Sequence, residues 1–140
     1  MVYVDSSFLV SHYLQDAHSS KTDQRMAAFP QILFTPFQRA ELVHAVYQHV
    51  FRRAITLQDA DSVLKDIEQD CIRGVWVQAE QPIATFNTCL RIAQRHVATL
   101  GVRTLDSLHV AAALELKADV FWTFDERQKR LAEAEGLATA

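Results

Sequence analysis

Val120-Phe121-Trp122-Thr123-Phe124-Asp125-Glu126-Arg127 is the stretch on which the fold turns. Its β-branched and aromatic run reads as a buried strand, and the acid that follows suits the N-cap of a helix stopped by Gly136. The other end of the chain repeats the pattern. Val2-Tyr3-Val4 leads into Asp5-Ser6-Ser7, after which Phe8, Leu9, Tyr13 and Leu14 recur at near-helical spacing. Ile32-Leu33-Phe34 is followed by Thr35-Pro36, an N-cap with proline at the first helical position. Val75-Trp76-Val77, just after Gly74, is the remaining strand candidate.

Helices fill the intervals. Ser20 is expected to cap a short helix that ends before Phe29-Pro30. From Pro36 to about Arg53, Phe37, Ala40, Val43, Tyr47 and Val50 mark an apolar face. Thr56 opens the next helix with Asp59 in place of the usual Glu or Gln of a capping box, and Ala60, Val63, Leu64 and Ile67 form its stripe. Another helix is expected from Pro82 to Gly101 with Ile83, Phe86, Leu90, Ala93 and Val97 facing inward, and Thr104 caps one running from Leu105 to about Lys117. Strands that alternate with helices predict an α/β fold: a small, mainly parallel central sheet flanked by helices on both faces. The 140 residues suit a single domain spanning 1–140.

Composition excludes several classes. With 49% hydrophobic and 22% charged residues the chain is not disordered. No apolar run approaches the ~20 residues of a membrane span. The acid at position 5 argues against a signal peptide, so a cytoplasmic location without membrane contact is expected. Three glycines leave no room for a glycine-rich dinucleotide or phosphate loop. Lys plus Arg total 14 against 17 Asp plus Glu, a formal charge of −3, so nucleic acid is not bound by bulk charge. Local arginines or bound cations would be needed. Cys71 and Cys89 lack metal-ligand spacing and are expected to be reduced, and His44 and His49 are five apart, off a common helical face.

The polar residues at the strand ends carry the chemistry. Asp5 and Asp125 follow the first and last strands and project at the carboxyl edge of the sheet, where open parallel sheets bind ligands. Glu41 lies near the start of the helix after the second strand, among apolar neighbours, and Asp106 lies in a first helical turn. Singly, each has an ordinary explanation as a cap, a turn residue or dipole compensation. Together, four like charges at one end of a small sheet repel, and a hard divalent cation such as Mg²⁺ or Mn²⁺ relieves that strain. A phospho-acceptor receiver would show paired acids after the first strand and a lysine after the last. A haloacid-dehalogenase-type phosphatase would show Asp-x-Asp where Asp5-Ser6-Ser7 stands. Arg127, two residues past Asp125, is the arginine expected near the site; His109 is expected to pack at a helix edge, outside it. Phe8, Tyr13, Phe29, Phe37 and Tyr47 are candidates for an exposed apolar patch.

Four segments, Val4-Asp5-Ser6-Ser7, Arg39-Ala40-Glu41-Leu42, Leu105-Asp106-Ser107-Leu108-His109 and Thr123-Phe124-Asp125-Glu126-Arg127, together resemble a PIN domain. Within that superfamily the chain is most similar to VapC-like toxins of type II toxin–antitoxin pairs. The resemblance implies a Mg²⁺- or Mn²⁺-dependent endoribonuclease with one or two ions held by Asp5, Glu41, Asp106 and Asp125. Ser6 or Ser7 and Thr123 match the hydroxyl positions that support those acids. A cognate antitoxin and a homodimer are implied as well. The alternatives are a non-toxin PIN nuclease and a catalytically idle PIN-fold interaction domain. One departure stands out: Gly136-Leu137-Ala138-Thr139-Ala140 is only a stub where the family often places a final edge strand.

Overall fold

A computed structural model describes residues 1–28 and 30–140. In chain order the elements are β1 (Val2–Val4), α1 (Ser6–Tyr13), α2 (Ser19–Met26), β2 (Ile32–Phe34), α3 (Pro36–Phe51), α4 (Leu57–Arg73) and β3 (Trp76–Gln78). Then come α5 (Ala84–Ile92), a π-helical turn (Ala93–Val97), α6 (Ala98–Leu100), α7 (Thr104–Glu115), β4 (Val120–Trp122), α8 (Glu126–Ala134) and β5 (Ala138–Thr139). All the strands pair in parallel, in the order β3-β2-β1-β4-β5.

Strand alternation divides the core in two. Val2 and Val4, with Ile32 and Phe34, point to one face, where Phe8 and Leu9 of α1, Leu42 and Val46 of α3 and Ala60, Val63 and Ile67 of α4 cover them. Tyr3, Leu33 and Phe121 point to the other, packed under Cys89 and Ile92 of α5, Val110 to Ala113 of α7 and Leu131 of α8. Each large apolar side chain so buried contributes roughly 1.5–3 kcal/mol. The chain winds outward from β1 in one direction through β2 and β3, then crosses back to β4 on its other side. That reversal leaves a crevice between the carboxyl ends of β1 and β4.

Local signals set most helix starts. Asp5 caps α1 by accepting the Phe8 N–H, Thr35 and Gln38 form a capping box on α3, and Thr56 with Asp59 forms a complete one on α4. Gly74 adopts φ 74° to end α4. Three starts differ from expectation: α5 begins at Ala84, two residues past Pro82, and the helix expected to run on to Gly101 is interrupted by the π-helical turn. Helix α2 begins at Ser19, with His18 rather than Ser20 before it, and α7 begins at Thr104, so Arg103 occupies the cap position.

Two helix faces are rotated from the predicted ones. Buried residues of α3 are Gln38, Leu42 and Val46, while Ala40 and Tyr47 face outward. In α5 the inward residues are Thr85, Thr88, Cys89 and Ile92, and Ile83 and Phe86 are 90% and 61% exposed. The small side chains of that face allow α5 to lie close against the alanine row of α7, where bulkier Phe86 and Leu90 would not fit. Of the expected aromatic patch only Tyr47 is exposed among the described residues; Phe8 is fully buried, Tyr13 and Phe37 are half-buried, and Phe29 lies outside the described residues. The terminal stub does form a strand, β5, with Ala138 opposite Val120 and Thr139 opposite Phe121. Both cysteines are free thiols, Cys89 buried and Cys71 half-buried. Among the described residues no helix is long and apolar enough to cross a membrane.

Candidate active site at the carboxyl edge of the sheet

Asp5 sits in the crevice, 4% exposed. Its Oδ1 accepts the Phe8 N–H (3.0 Å) and the Ser7 hydroxyl (2.7 Å), and its Oδ2 accepts the Thr123 hydroxyl across the sheet (2.7 Å). Burial raises its pKa, partly offset by nearby His109 and by the hydrogen bonds from Thr123, Ser7 and Phe8. None of its hydrogen-bond partners is a lysine or arginine. A carboxylate so placed lacks the full positive partner that a buried charge requires.

Thr123 links Asp5 to Asp125. Its Oγ1 accepts the Asp125 N–H (2.9 Å) and lies 2.9 Å from the side-chain amide of Gln128. Asp125 caps α8 through Oδ1, which accepts the N–H groups of Arg127 (2.8 Å) and Gln128 (3.1 Å). Gln128, almost fully buried, extends its Nε2 to within 3.5 Å of the Asp106 carbonyl and so ties α7 to this corner. Asp106 itself accepts the Arg103 N–H (2.9 Å).

Glu41 reaches the site by another route. Gln38 Nε2 donates to the carbonyls of Val4 (2.7 Å) and Leu33 (3.3 Å), fixing the start of α3 on the ends of β1 and β2. Glu41, one turn on, pairs with His109 Nε2 from α7. The other nitrogen of that ring meets Tyr3 Oη at 3.1 Å. Tyr3 is fully buried and His109 is 2% exposed. Burial, and then the charge of Glu41, push the Tyr3 phenol well up, so it stays protonated. His109 is therefore part of the site and not a helix-edge residue; its separation of 68 positions from Glu41 gave no local signal.

The supporting residues divide. Ser7 and Thr123 both bond Asp5, whereas Ser6 borders an open cavity. Arg127 contributes its backbone N–H to Asp125, and its side chain is exposed. Among the described residues no three His, Cys, Asp or Glu side chains converge into a metal cage. Carboxylates that share one end of a sheet repel, and Glu41, Asp106 and Asp125 each turn to the nearest donor. The donor chemistry nevertheless fits a hard divalent cation: all oxygen, with a buried carboxylate short of positive charge at its centre.

Comparison with known proteins agrees with this architecture. The PIN domain family matches residues 2–134. No curated protein matches. Among solved structures, Mycobacterium tuberculosis VapC20, a Sarcin-Ricin loop cleaving toxin, superposes with a TM-score of 0.71 at 15% identity, over 99% of this chain and 97% of that one. FitAcB from Neisseria gonorrhoeae gives 0.72 at 14%, covering 99% and 96%. VapBC2 from Rickettsia felis, bound to a promoter DNA fragment, gives 0.66 at 14%, covering 100% and 98%. At these identities the likeness is one of fold. With the family match spanning nearly its whole length, the chain belongs to the PIN domain family.

Proposed function

We propose that the protein is a metal-dependent endoribonuclease that hydrolyses RNA phosphodiester bonds, the toxin of a type II pair held in check by a cognate antitoxin. The observation that carries this reading is Asp5: buried at the switch point of a PIN fold, oriented by Ser7 and Thr123, and bonded to no lysine or arginine. VapC20, a protein of similar fold, is a toxin, which supports the toxin assignment. Within the same reading the protein works in the cytoplasm as a homodimer.

Asp5, Glu41, Asp106 and Asp125 would hold one or two Mg²⁺ or Mn²⁺ ions. Bound there, such ions supply an activated water and shield the phosphoryl oxygens. The chain's own groups do the orienting. Ser7 and Thr123 fix the direction of the Asp5 carboxylate, and because each of its oxygens already accepts two contacts, the Ser7 hydroxyl, which is shared between them, is the one that would give way to a ligand. His109 holds Glu41, and Tyr3 in turn holds His109. Glu41, Asp106 and Asp125 each make their hydrogen bonds through one carboxylate oxygen, which leaves the other for a ligand.

The deciding experiment is cleavage of total RNA by wild type and Asp5→Ala in Mg²⁺, in Mn²⁺ and in chelator. Metal-dependent cutting that the substitution abolishes is expected. Chelator-resistant cutting, or full activity in the variant, overturns the mechanism. The capping bonds of Asp106 and Asp125 favour one second reading, an idle PIN-fold interaction domain, and that protein would leave RNA intact in every condition.

A further inference from the structure

Beside the acids opens a cavity of about 480 Å³, lined by Ser6, Ser7, Asp16, His18, Phe124 and Asp125 among others. Its floor is aromatic. The half-buried His18 ring lies flat on Phe124, 4.3 Å between centroids and 8° between planes. Phe124 stacks in turn on Phe8 of the core (5.8 Å, 16°), and Phe8 leans on Trp122 (5.3 Å). A pile of rings thus leads from the interior to the cavity.

The loop that carries His18 is pinned. Buried Ser19 accepts the Asp16 N–H (2.9 Å) and donates to the Ser11 carbonyl (3.1 Å), while Asp16 Oδ1 accepts the His18 N–H (2.7 Å) and Oδ2 accepts the Ser11 hydroxyl (2.6 Å), which leaves exposed Asp16 one lone pair of Oδ2 turned to solvent. The imidazole is held in place before any ligand arrives, which spares the entropy of ordering it on binding. Close by, the Arg25 guanidinium lies 5.3 Å from the Trp122 ring and 5.4 Å from that of Phe124. Its Nη1 finds no acceptor among the described residues.

We propose that this cavity receives the unpaired nucleobase next to the scissile phosphate, stacked on His18, with Asp16 accepting hydrogen bonds from N–H groups on the base edge. The inference rests on the ribonuclease reading above. Proteins that read single-stranded RNA splay bases onto aromatic faces and bond their edges. A carboxylate is an acceptor only, so it selects bases that present donors. Because Ser7 and Asp125 line the cavity and also belong to the acidic site, a base held there places its own phosphate toward the acids.

The test uses a random pool of RNAs of about 12 nucleotides, within the span of single-strand binding sites. Binding is followed by fluorescence anisotropy and cut positions by sequencing in Mn²⁺, for wild type, His18→Ala, His18→Phe and Asp16→Asn. Wild type is expected to favour particular bases at one position beside the cut. Loss of the stack in His18→Ala should weaken binding about 5- to 100-fold and flatten that preference. His18→Phe should keep most of both, and Asp16→Asn, which trades an acceptor for a donor, should change the favoured base; an Asp16→Asn with the wild-type base preference overturns the role given to Asp16. If wild type is active and His18→Ala matches it in affinity and preference, the cavity does not hold the base. A His18→Phe as weak as His18→Ala also overturns the stacking role. A wild type that neither binds nor cuts RNA removes the ribonuclease reading itself, so the two failures are distinguishable.

Discussion

Replacing His109 by alanine tests whether the buried chain from Tyr3 to Glu41 is as consequential as its geometry indicates. The ring is 2% exposed and touches Tyr3 edge-on (5.8 Å, 68°) and Phe37 at 4.6 Å. Each aromatic contact contributes about 0.5–1.5 kcal/mol. Truncation also orphans the Tyr3 hydroxyl in a dry site, at about 1–3 kcal/mol. The Glu41 side chain, 18% exposed, can regain water and adds little. The sum is about 2–6 kcal/mol, or roughly 7–20 °C in melting temperature for a chain of this size. Circular dichroism melts and urea titrations in chelator measure it. His109→Gln keeps a donor and an acceptor for the two partners and should cost about 1–2 kcal/mol. An alanine variant within about 1 kcal/mol of wild type would refute the reasoning. Glutamine behaving as badly as alanine would assign the effect to ring packing and not to the polar chain.

Asp5→Asn keeps an acceptor for the Phe8 N–H and removes a buried negative charge, so in chelator it should match or exceed wild type in stability. Wild type in Mn²⁺ at about a hundred times its dissociation constant should gain about 2.7 kcal/mol, and the variant little; equal gains would place the ion elsewhere. Burial lowers the pKa of His12 against the pull of Asp70 and Asp23. The unfolded chain therefore takes up a proton near pH 6.5 that the folded chain resists, and stability complete above that pH falls as the solution is acidified below it. His12→Phe should flatten that fall, and an unchanged acid limb in the pH–stability curve would exclude His12 as its source. Gly136 holds φ 85°, and a methyl group added there would meet nothing within 4 Å, so Gly136→Ala should cost about 1–2 kcal/mol through the backbone alone. A neutral result in denaturant titrations would contradict the left-handed turn.

Much of this molecule is legible in short stretches of sequence. Asp5, Thr35, Thr56 and Asp125 each announce a helix start by contacts within three residues, and such local rules survive folding. Asp5, Thr35 and Asp125 also mark the ends of β1, β2 and β4. What escaped depends on partners distant in the chain. Apolar residues of α5 are dense enough to support two neighbouring stripes, and only the alanine row of α7 decides that Thr88 and Cys89 turn inward. Gln38 and Gln128 read as ordinary helix residues, yet both are buried and stitch strand ends to helices. Strand β5 is too short to carry a pattern, and its pairing to β4 supplies what its sequence lacks.

The bond from Thr123 to Asp5 spans 118 positions of the chain. Any nascent polypeptide on the ribosome must therefore expose β4 and the start of α8 before its first carboxylate can be locked in place. A chain shortened before β4 would carry Asp5 without the hydroxyl that orients its Oδ2, so the two ends of the described fold assemble this corner together or not at all.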